Sequence, residues 1–309
     1  MKGGTVTAQS FPEKFEQTLI TRHRILKKIR QLFDDAGYVE VETPLRVRCP
    51  GIDLYIDAIG AESGYFLSTS PELLMKRLLT LGIPRIYQIT HAFRAHERGA
   101  FHNTEFSLLE WYRVGTNYRG VLDETEELVK VILKEVNFEH IDGSVFQFPF
   151  SRISVDELFE SIAGWKPSRD WNEDRYFLDW VEKIEPFLVS LKGVFITDFP
   201  SPLSSLAKIS PDNPRVCERF ELFMDGLEIA NAFSELTDAV EQDERFKESL
   251  LKRKNTGKEL YEIDHKFIQA LRDGMPECAG VALGIDRLIM AILGYKDIAL
   301  VQTFPAERL

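Results

Sequence analysis

The sequence predicts an α+β fold in which helices flank an antiparallel sheet. Residues 85–113 have the pattern of a strand, a polar loop and a second strand, and Asp225-Gly226 is typical of a two-residue turn between two further strands. Amphipathic helical patterns with recognisable ends accompany these strand pairs. No repeat or low-complexity linker divides the 309 residues, so we expect a single domain over 1–309, with a flexible arm at 1–12 and an aromatic-rich insertion at 144–192.

Composition and charge argue against several classes of protein. The net charge is −11, whereas nucleic-acid binders concentrate positive charge to displace counterions, so tRNA is unlikely as the main partner on this balance. The chain has no apolar run near the roughly 18 residues that span a bilayer and no apolar signal-peptide core. Three scattered cysteines fit a reducing compartment without structural zinc. We expect a cytoplasmic protein with no membrane partner.

The first strand pair carries an unusual set of side chains. Alternation along its second strand puts Phe106, Leu108, Glu110 and Tyr112 on one face, and Arg94 at the end of the first strand can reach the same place. The combination suggests a pocket with an arginine for phosphate, a ring for a base and an acid for a cation. The alternative is a half-buried hairpin whose polar residues face solvent.

Three helices have clear start signals. They are predicted at 21–36, 68–82 and 117–136, with the N-caps Thr21, Ser70 and Asn117. In the second helix Pro71 takes the first helical position and Glu72 lies in the first turn. The helix dipole alone can explain Glu72, since it favours an acid there by about 0.3–1 kcal/mol. A strand is predicted from 38 until Pro44.

The second strand pair brings two acids together. A turn at 225–226 would pair Phe223 with Glu228, Met224 with Leu227, and Glu221 with Ala230, so that Glu221 and Glu228 share a sheet face. Two such carboxylates can hold Mg²⁺ together with nucleotide phosphates. They can equally form a solvated acidic face.

A helix at 286–293 places Arg287 in its first turn, which is unfavourable unless an anion lies nearby. The anion could be the neighbouring Asp286, or it could be a nucleotide phosphate at the helix start.

Four blocks of the sequence resemble the lysyl branch of the class II aminoacyl-tRNA synthetases. GYVEVETPLRV (37–47) resembles motif 1, FRAHERGAFHNTEF (93–106) motif 2, and GVALGIDRLIMAILG (280–294) motif 3, while RFELFMDGLEIANAFSELTDA (219–239) is similar to the block between motifs 2 and 3. The resemblance implies the class II synthetase catalytic core. Since little chain precedes motif 1, we expect no anticodon-binding domain. The likeness is greatest to the short lysyl-synthetase paralogues that attach a lysine to elongation factor P.

The resemblance also implies residue roles. ATP would be bound by Arg94, Ala95, His96, Glu97, His102, Asn103, Phe106, Glu228, Ile229, Gly284 and Arg287. Of these, Arg94 would hold the α-phosphate, Phe106 would stack on adenine, and Arg287 would meet the γ-phosphate. Arg94, Arg287, Glu221 and Glu228 would be catalytic, the two glutamates holding Mg²⁺. Lysine or β-lysine would be bound by Ser70, Pro71, Glu72, Glu110, Tyr112, Asn231, Phe233, Glu235 and Ala282.

The acids of this second set predict a site for a positively charged side chain. A buried carboxylate at Glu235 needs a partner, and the natural one is the substrate's ammonium group, shared with Glu110. The family uses both Glu228 and Asn231 in the pocket, whereas strict alternation points them apart, so a β-bulge is needed near Ala230.

The implied reaction is attack of the amino-acid carboxylate on the α-phosphorus of ATP, followed by transfer to the ε-amine of a lysine on elongation factor P. The family's helix–strand unit at motif 1 predicts a homodimer, although the helix could pack within one subunit. Two alternatives stay open, a truncated lysyl-tRNA synthetase that charges tRNA and a non-catalytic paralogue that senses an amino acid.

A few positions depart from the synthetase pattern. His96 stands where a glutamate is usual, with Glu97 next, so either Glu97 substitutes or adenine recognition is altered; Thr104 and Ala232 replace a proline and a glycine. Ser70 and Ala282 replace an alanine and a glycine of the tRNA synthetases. These two residues resemble the elongation-factor ligases, whose preferred substrate is (R)-β-lysine.

Overall fold

The computed structural model describes residues 12–13, 15–136 and 146–308. The predicted arm at 1–12 lies outside the described residues except for its last position, and the first two residues of the predicted insertion also lie outside them. None of the helices in the described part of the chain is both long and apolar enough to cross a lipid bilayer.

The described strands are β1 (Val39–Glu40), β2 (Arg46–Val47), β3 (Gly60–Ala61), β4 (Tyr65–Leu67), β5 (Arg85–Phe93), β6 (Glu105–Val114), β7 (Ser151–Ser154), β8 (Gly193–Pro200), β9 (Val216–Met224), β10 (Leu227–Ser234) and β11 (Cys278–Gly284). The described helices are α1 (Phe15–Asp35), α2 (Glu72–Leu79), α3 (Tyr118–Glu135), α4 (Val155–Ala163), α5 (Glu173–Asp179), α6 (Glu185–Val189), α7 (Ala239–Asn255), α8 (His265–Arg272) and α9 (Ile285–Leu293). A π-helical turn, Trp180–Ile184, joins α5 to α6.

The strands form one large sheet in the order β1-β5-β6-β11-β10-β9-β8-β7, beside a small sheet of β2, β4 and β3. The six central strands pair antiparallel, whereas β1 and β7 pair in parallel at the two edges. The α+β prediction is therefore confirmed. The sheet is mixed rather than purely antiparallel because the edge strands are reached through crossovers that contain helices.

Three groups of helices cover the sheet. On one face α1, α3 and α9 pack against residues such as Trp111 and Val281. On the other face α2 and α8 pack at the end that contains β5, around Ile86, and α4, α5 and α6 pack at the end that contains β8, around Ile196. The middle of this second face lies between the two groups, and the polar side chains of the sheet are found there.

The helix ends test the capping predictions. Asn117 accepts hydrogen bonds from the backbone N–H groups of Arg119 and Gly120 at the start of α3, as predicted. The predicted start at Thr21 is wrong, because α1 begins at Phe15 and the Thr21 hydroxyl donates to Gln17 O inside the helix. The buried stripe of α1 continues to Phe15, so apolar packing extends the helix past a good cap residue.

Candidate active site

A row of side chains crosses five strands on the open face of the sheet. Backbone pairing places Gln88 of β5 opposite Glu110 of β6, which is opposite Ala282 of β11, then Asn231 of β10 and Glu221 of β9. Directly paired residues share a face and bring their Cβ atoms to about 4.5–5.5 Å. Residues that are far apart in the sequence thus form one continuous surface.

A bulge in β10 makes this row possible. The pairing follows the predicted register at the turn, with Met224 opposite Leu227 and Phe223 opposite Glu228, and then shifts between Glu228 and Ala230. Glu221 consequently faces Asn231 rather than Ala230, so the simple hairpin register is wrong beyond the shift. The bulge that the pocket required is confirmed, since Glu228 and Asn231 now point to the same face.

A second row lies beside the first. Tyr112 of β6, Gly280 of β11, Phe233 of β10 and Arg219 of β9 are consecutive partners across it. A Cβ at Gly280 would lie 2.3 Å from the Tyr112 ring and 2.6 Å from Glu235 Oε1, so the absence of a side chain lets these groups approach. Gly280 belongs to the predicted motif 3 block, but its packing role was not foreseen.

A cavity of about 280 Å³ lies at the end of the sheet where motifs 2 and 3 meet. Nine of the eleven residues predicted to bind ATP line it, namely Arg94, Glu97, His102, Asn103, Phe106, Glu228, Ile229, Gly284 and Arg287. Ala95 and His96 are not among its lining residues. His96 has a left-handed backbone, with φ +66°, and Glu97 reaches the cavity, which favours Glu97 as the acid of this loop.

The two arginines of the cavity fit an anionic ligand. The Arg94 guanidinium lies over the Phe106 ring, with its central carbon 5.0 Å from the ring centre, and its buried Nε has no hydrogen-bond partner among the described residues. Arg287 donates from Nε to Phe101 O at 3.2 Å and from Nη1 to Glu228 O at 3.1 Å. A guanidinium with an unused donor beside a ring suits a nucleotide phosphate next to its base.

Asp286 is not the anion that offsets Arg287. Its carboxylate is buried and accepts hydrogen bonds from Arg22 Nη1 at 2.5 Å, from the Ser107 backbone at 2.9 Å and from Gln302 Nε2 at 3.0 Å. Asp286 therefore ties α1, β6 and the C-terminal segment to the start of α9. Arg287 is left to face the cavity and the Glu228 carboxylate, 3.6 Å away.

The motif 2 loop is held by contacts of its own. Asn103 donates to Gln302 Oε1 at 2.6 Å and accepts from the Thr104 backbone, so its side chain shapes the loop. The Ala95 N–H donates to Asp57 O at 2.7 Å. Burial lowers the pKa of His102, which keeps that side chain neutral in the cavity wall.

A second cavity, of about 180 Å³, lies beside the first. Four of the residues predicted to bind the amino acid line it: Ser70, Glu72, Asn231 and Phe233. Ala282 lines the first cavity instead, while Pro71, Glu110, Tyr112 and Glu235 are not among the residues lining the second. Arg94 lines both cavities, so it lies where they meet.

Glu110 does not line this second cavity, and each of its carboxylate oxygens accepts a hydrogen bond from a neighbouring side chain. Ser70 Oγ donates to Glu110 Oε2 at 2.9 Å, and Tyr112 Oη donates to Oε1 at 2.5 Å. Ser70 Oγ also accepts from the Glu72 N–H at 3.0 Å, but α2 begins at Glu72 with Pro71 as its N-cap, so the predicted cap is one residue too early. Burial, reinforced by Glu72, raises the pKa of Glu110 to about 7.

Glu235 has a partner that the sequence did not predict. The prediction assigned its charge to the substrate's ammonium group, but in the structure the buried Lys76 of α2 makes an ion pair with Glu235 Oε2. Neither Glu235 oxygen makes a hydrogen bond of regular geometry to the described residues, so this ion pair compensates the carboxylate. Lys76 was overlooked because its spacing of four from Glu72 is typical of a surface pair on a helix.

The two predicted metal ligands lie on adjacent strands and are each close to an arginine. Arg219 donates to Glu221 Oε1 at 2.6 Å and to Asn231 Oδ1 at 3.1 Å, and Arg287 lies near Glu228. Burial and the nearby Glu228 charge raise the pKa of Glu221 to about 7. Arg219 begins the 219–239 block and, like Lys76, was not predicted to have a role.

A wide groove of about 1030 Å³ opens beside Glu221, Glu228 and Arg287. One wall comes from the segment at 144–192, through Trp171 and Trp180, and another from α7. No chemistry was predicted for the 144–192 segment. Its aromatic residues nevertheless shape the approach to the site.

Comparison with known proteins agrees with this geometry. The family model of the class II tRNA synthetases (D, K and N) matches residues 7–308. Proteins named elongation factor P–(R)-β-lysine ligase are similar over nearly all of both chains: those of Vibrio cholerae (38% identical, over 93% of this chain and 94% of the relative), Salmonella arizonae (37%, over 98% and 99%) and Hamiltonella defensa (37%, over 94% and 95%). The chain belongs to the class II tRNA synthetase family.

Proposed function

We propose that this protein activates a lysine-type amino acid with ATP, (R)-β-lysine in the first place, and ligates it to a lysine side chain of elongation factor P. The relatives that carry this activity in their names align with 93–98% of the chain. The sheet face, the two adjoining cavities and the arginines at their junction support the same chemistry.

The position of Arg94 carries the proposal. It lines the cavity that holds the predicted ATP residues and also the cavity that holds the predicted amino-acid residues. A carboxylate in one cavity and an α-phosphate in the other would meet at this guanidinium. Its planar fork can bind two oxygens at once and stabilise the charge that develops when they react.

The chain's residues then act mainly by positioning. Attack of the substrate carboxylate on the α-phosphorus gives an acyl-adenylate and pyrophosphate, and attack of the acceptor amine on the acyl carbon releases AMP. Arg94 and Arg287 bind the phosphates, and Glu72, which lines the second cavity, aligns the amino acid. The wide groove beside Glu228 gives the acceptor's lysine side chain a route to the acyl group.

Glu221 and Glu228 fit a magnesium ion that is shared with the nucleotide. Within 12–13, 15–136 and 146–308, no group of three or more His, Cys, Asp or Glu side chains is arranged as a complete metal site. Two carboxylates completed by phosphate oxygens and water are a usual set of ligands for Mg²⁺. The ion would neutralise charge on the triphosphate, while Arg219 keeps Glu221 in place.

We also propose that the chain is a single catalytic domain and that 144–192 is an insertion in it.

We further propose that two copies associate through the helix–strand unit at motif 1. The interface would include three exposed apolar residues, Ile20 of α1, Val39 of β1 and Leu45 after it. Sedimentation equilibrium tests this, since Val39→Glu should shift a dimer towards monomer.

The test of the ligation follows the mass of the acceptor. The purified protein is incubated with ATP and either α-lysine or (R)-β-lysine, and then with elongation factor P or tRNA. The expected result is a mass increase of elongation factor P by one lysyl residue, greater with (R)-β-lysine, and none when the acceptor lysine is replaced by arginine. Charging of tRNA alone would establish a truncated lysyl-tRNA synthetase, and absence of amino-acid-dependent pyrophosphate exchange would establish a non-catalytic paralogue.

A further inference from the structure

Lys76 touches much of the predicted amino-acid pocket without entering it. Its Nζ donates to Glu72 Oε1 at 2.6 Å and makes an ion pair with Glu235 Oε2. The same nitrogen lies 5.0 Å from the centre of the Phe233 ring and 6.0 Å from that of Tyr112. All four neighbours belong to the set predicted to bind the substrate.

Lys76 acts from behind the pocket wall. Its side chain is 0% exposed, and it is not among the residues that line the second cavity, whereas Glu72 and Phe233 are. A lysine-type substrate in that cavity would therefore meet the carboxylate that Lys76 holds, rather than Lys76 itself. The ammonium group can influence the substrate only through its neighbours.

The charge of the pocket explains why a buried cation is useful there. Glu72, Glu110 and Glu235 bring three carboxylates to one small region, and like charges that close would favour protonation of at least one. The ammonium of Lys76 offsets one of these charges, and the excess of carboxylates that remains suits a substrate with two ammonium groups, whose own carboxylate would face Arg94.

Lys76 keeps its charge in this position. Burial by itself would lower its pKa, but the carboxylates of Glu235 and Glu72 raise the pKa above its usual value. Burial raises the pKa of Glu235, and Lys76 is the strongest influence that lowers it. Removal of the ammonium group would thus raise the pKa of Glu235 further and leave Glu72 without its hydrogen-bond donor.

We propose that Lys76 is a positioning residue for substrate specificity: its buried ammonium group holds Glu72 and Glu235 so that the pocket accepts a substrate with two ammonium groups. The inference rests on the proposed function, because it takes the second cavity as the amino-acid site. It concerns the pocket alone and does not depend on the acceptor.

The test measures binding, so that it does not depend on ligation. Lys76→Met removes the charge at similar length, and Arg77→Met is the matched control, because Arg77 is the next residue of α2 but lies towards Asp264, outside the pocket. Calorimetric titration with lysine, (R)-β-lysine and norleucine, which lacks the second ammonium group, gives the affinities. Thermal unfolding checks that each variant is folded.

Lys76→Met should bind the better-bound diamino acid at least tenfold more weakly than the wild type does. Its affinities for norleucine and for ATP should change less than twofold. Arg77→Met should bind all of them like the wild type. Lys76→Met with wild-type affinity for diamino acids would overturn the inference, and so would an equal loss for norleucine. If Lys76→Met does not fold, the pair Lys76→Met/Glu235→Gln removes both charges together; it should fold and still bind diamino acids at least tenfold more weakly.

The two proposals fail in different ways. A wild-type protein that binds diamino acids but does not modify elongation factor P contradicts the proposed function, and the Lys76 variants still decide the inference. A wild-type protein that modifies elongation factor P while Lys76→Met binds normally contradicts only the inference. A wild-type protein that binds norleucine as tightly as both diamino acids overturns the inference outright.

Discussion

Replacement of Gly280 by alanine should disturb the amino-acid pocket and spare the nucleotide cavity. The added Cβ would lie 2.3 Å from Cε1 and 2.5 Å from Cδ1 of Tyr112, and 2.6 Å from Glu235 Oε1. Since non-bonded carbon atoms prefer about 3.5–4.0 Å, the Tyr112 ring must move by roughly 1 Å. That movement weakens its 2.5 Å hydrogen bond to Glu110.

The magnitude follows from two opposing effects. Alanine in a strand interior should by itself stabilise the fold by about 0.5–1 kcal/mol relative to glycine. Overpacking of this kind costs about 1–3 kcal/mol. Complete loss of a hydrogen bond to a charged group costs about 1.5–3 kcal/mol, and a weakened bond costs part of that. The steric effect should therefore win, with a net loss of about 1–3 kcal/mol and a Tm lower by a few degrees.

Amino-acid-dependent pyrophosphate exchange separates the two cavities. For Gly280→Ala, KM for the amino acid should rise about tenfold for each 1.4 kcal/mol lost from binding, while KM for ATP stays near the wild-type value. Gly60→Ala is the control, because Gly60 also lies in a strand, β3, and a Cβ there would meet no atom of the described residues within 4 Å. A Gly280→Ala protein with wild-type Tm and amino-acid KM would refute the reasoning.

Three further predictions concern charges. Arg94→Lys keeps the positive charge but cannot donate two parallel hydrogen bonds, so kcat of pyrophosphate exchange should fall by about 10²–10³. A fall of less than tenfold would mean that Arg94 only attracts ATP. Burial raises the pKa of Glu110 to about 7 in the folded protein, compared with 4.5 in the unfolded chain. The contribution of this group to stability is therefore complete below pH 4.5 and is lost as the pH rises towards 7. The unfolding free energy of the wild type should then fall relative to Glu110→Gln by up to about 3 kcal/mol between pH 4.5 and 7, as measured by urea titration. Arg253→Met removes a buried guanidinium that pairs with the partly exposed Asp57 and donates to the backbone oxygens of Asp53, Ile56 and Glu259, so it should cost about 3–5 kcal/mol. Lys258 is partly exposed, so Lys258→Met should cost less than about 1 kcal/mol, and both costs are measured by urea unfolding.

Local sequence signals were enough for the elements that carry the site. Alternation along 105–113 placed Glu110 and Tyr112 on one face, and the paired strands agree. Gly294 ends α9 with a left-handed φ of +70°, as a glycine after a helix is expected to do. These features depend on neighbours in the sequence, so they could be predicted without a structure.

Lys76 and Arg219 could not be found in that way. Each looks ordinary in the sequence, a lysine in an amphipathic helix and an arginine near the start of a block, because nothing local says that its surroundings are buried. Lys76 pairs with Glu235, which lies 159 positions further along the chain, and Arg219 is placed by the sheet, where β9 and β10 bring Glu221 and Asn231 to its guanidinium. Such surroundings are a property of the fold.

The bulge between Glu228 and Ala230 shows how functional need can override the local rule. Side chains alternate strictly along a strand, so a regular hairpin would put Glu228 and Asn231 on opposite faces. Beyond the turn, a regular register would also send Phe233 and Glu235 to the face covered by α1, α3 and α9, where an acid would be buried without Lys76. One extra residue in β10 removes both conflicts, because every side chain after it changes face. Motif order and turn chemistry locate the hairpin, but the need to gather nucleotide and amino-acid groups on one surface determines its irregularity.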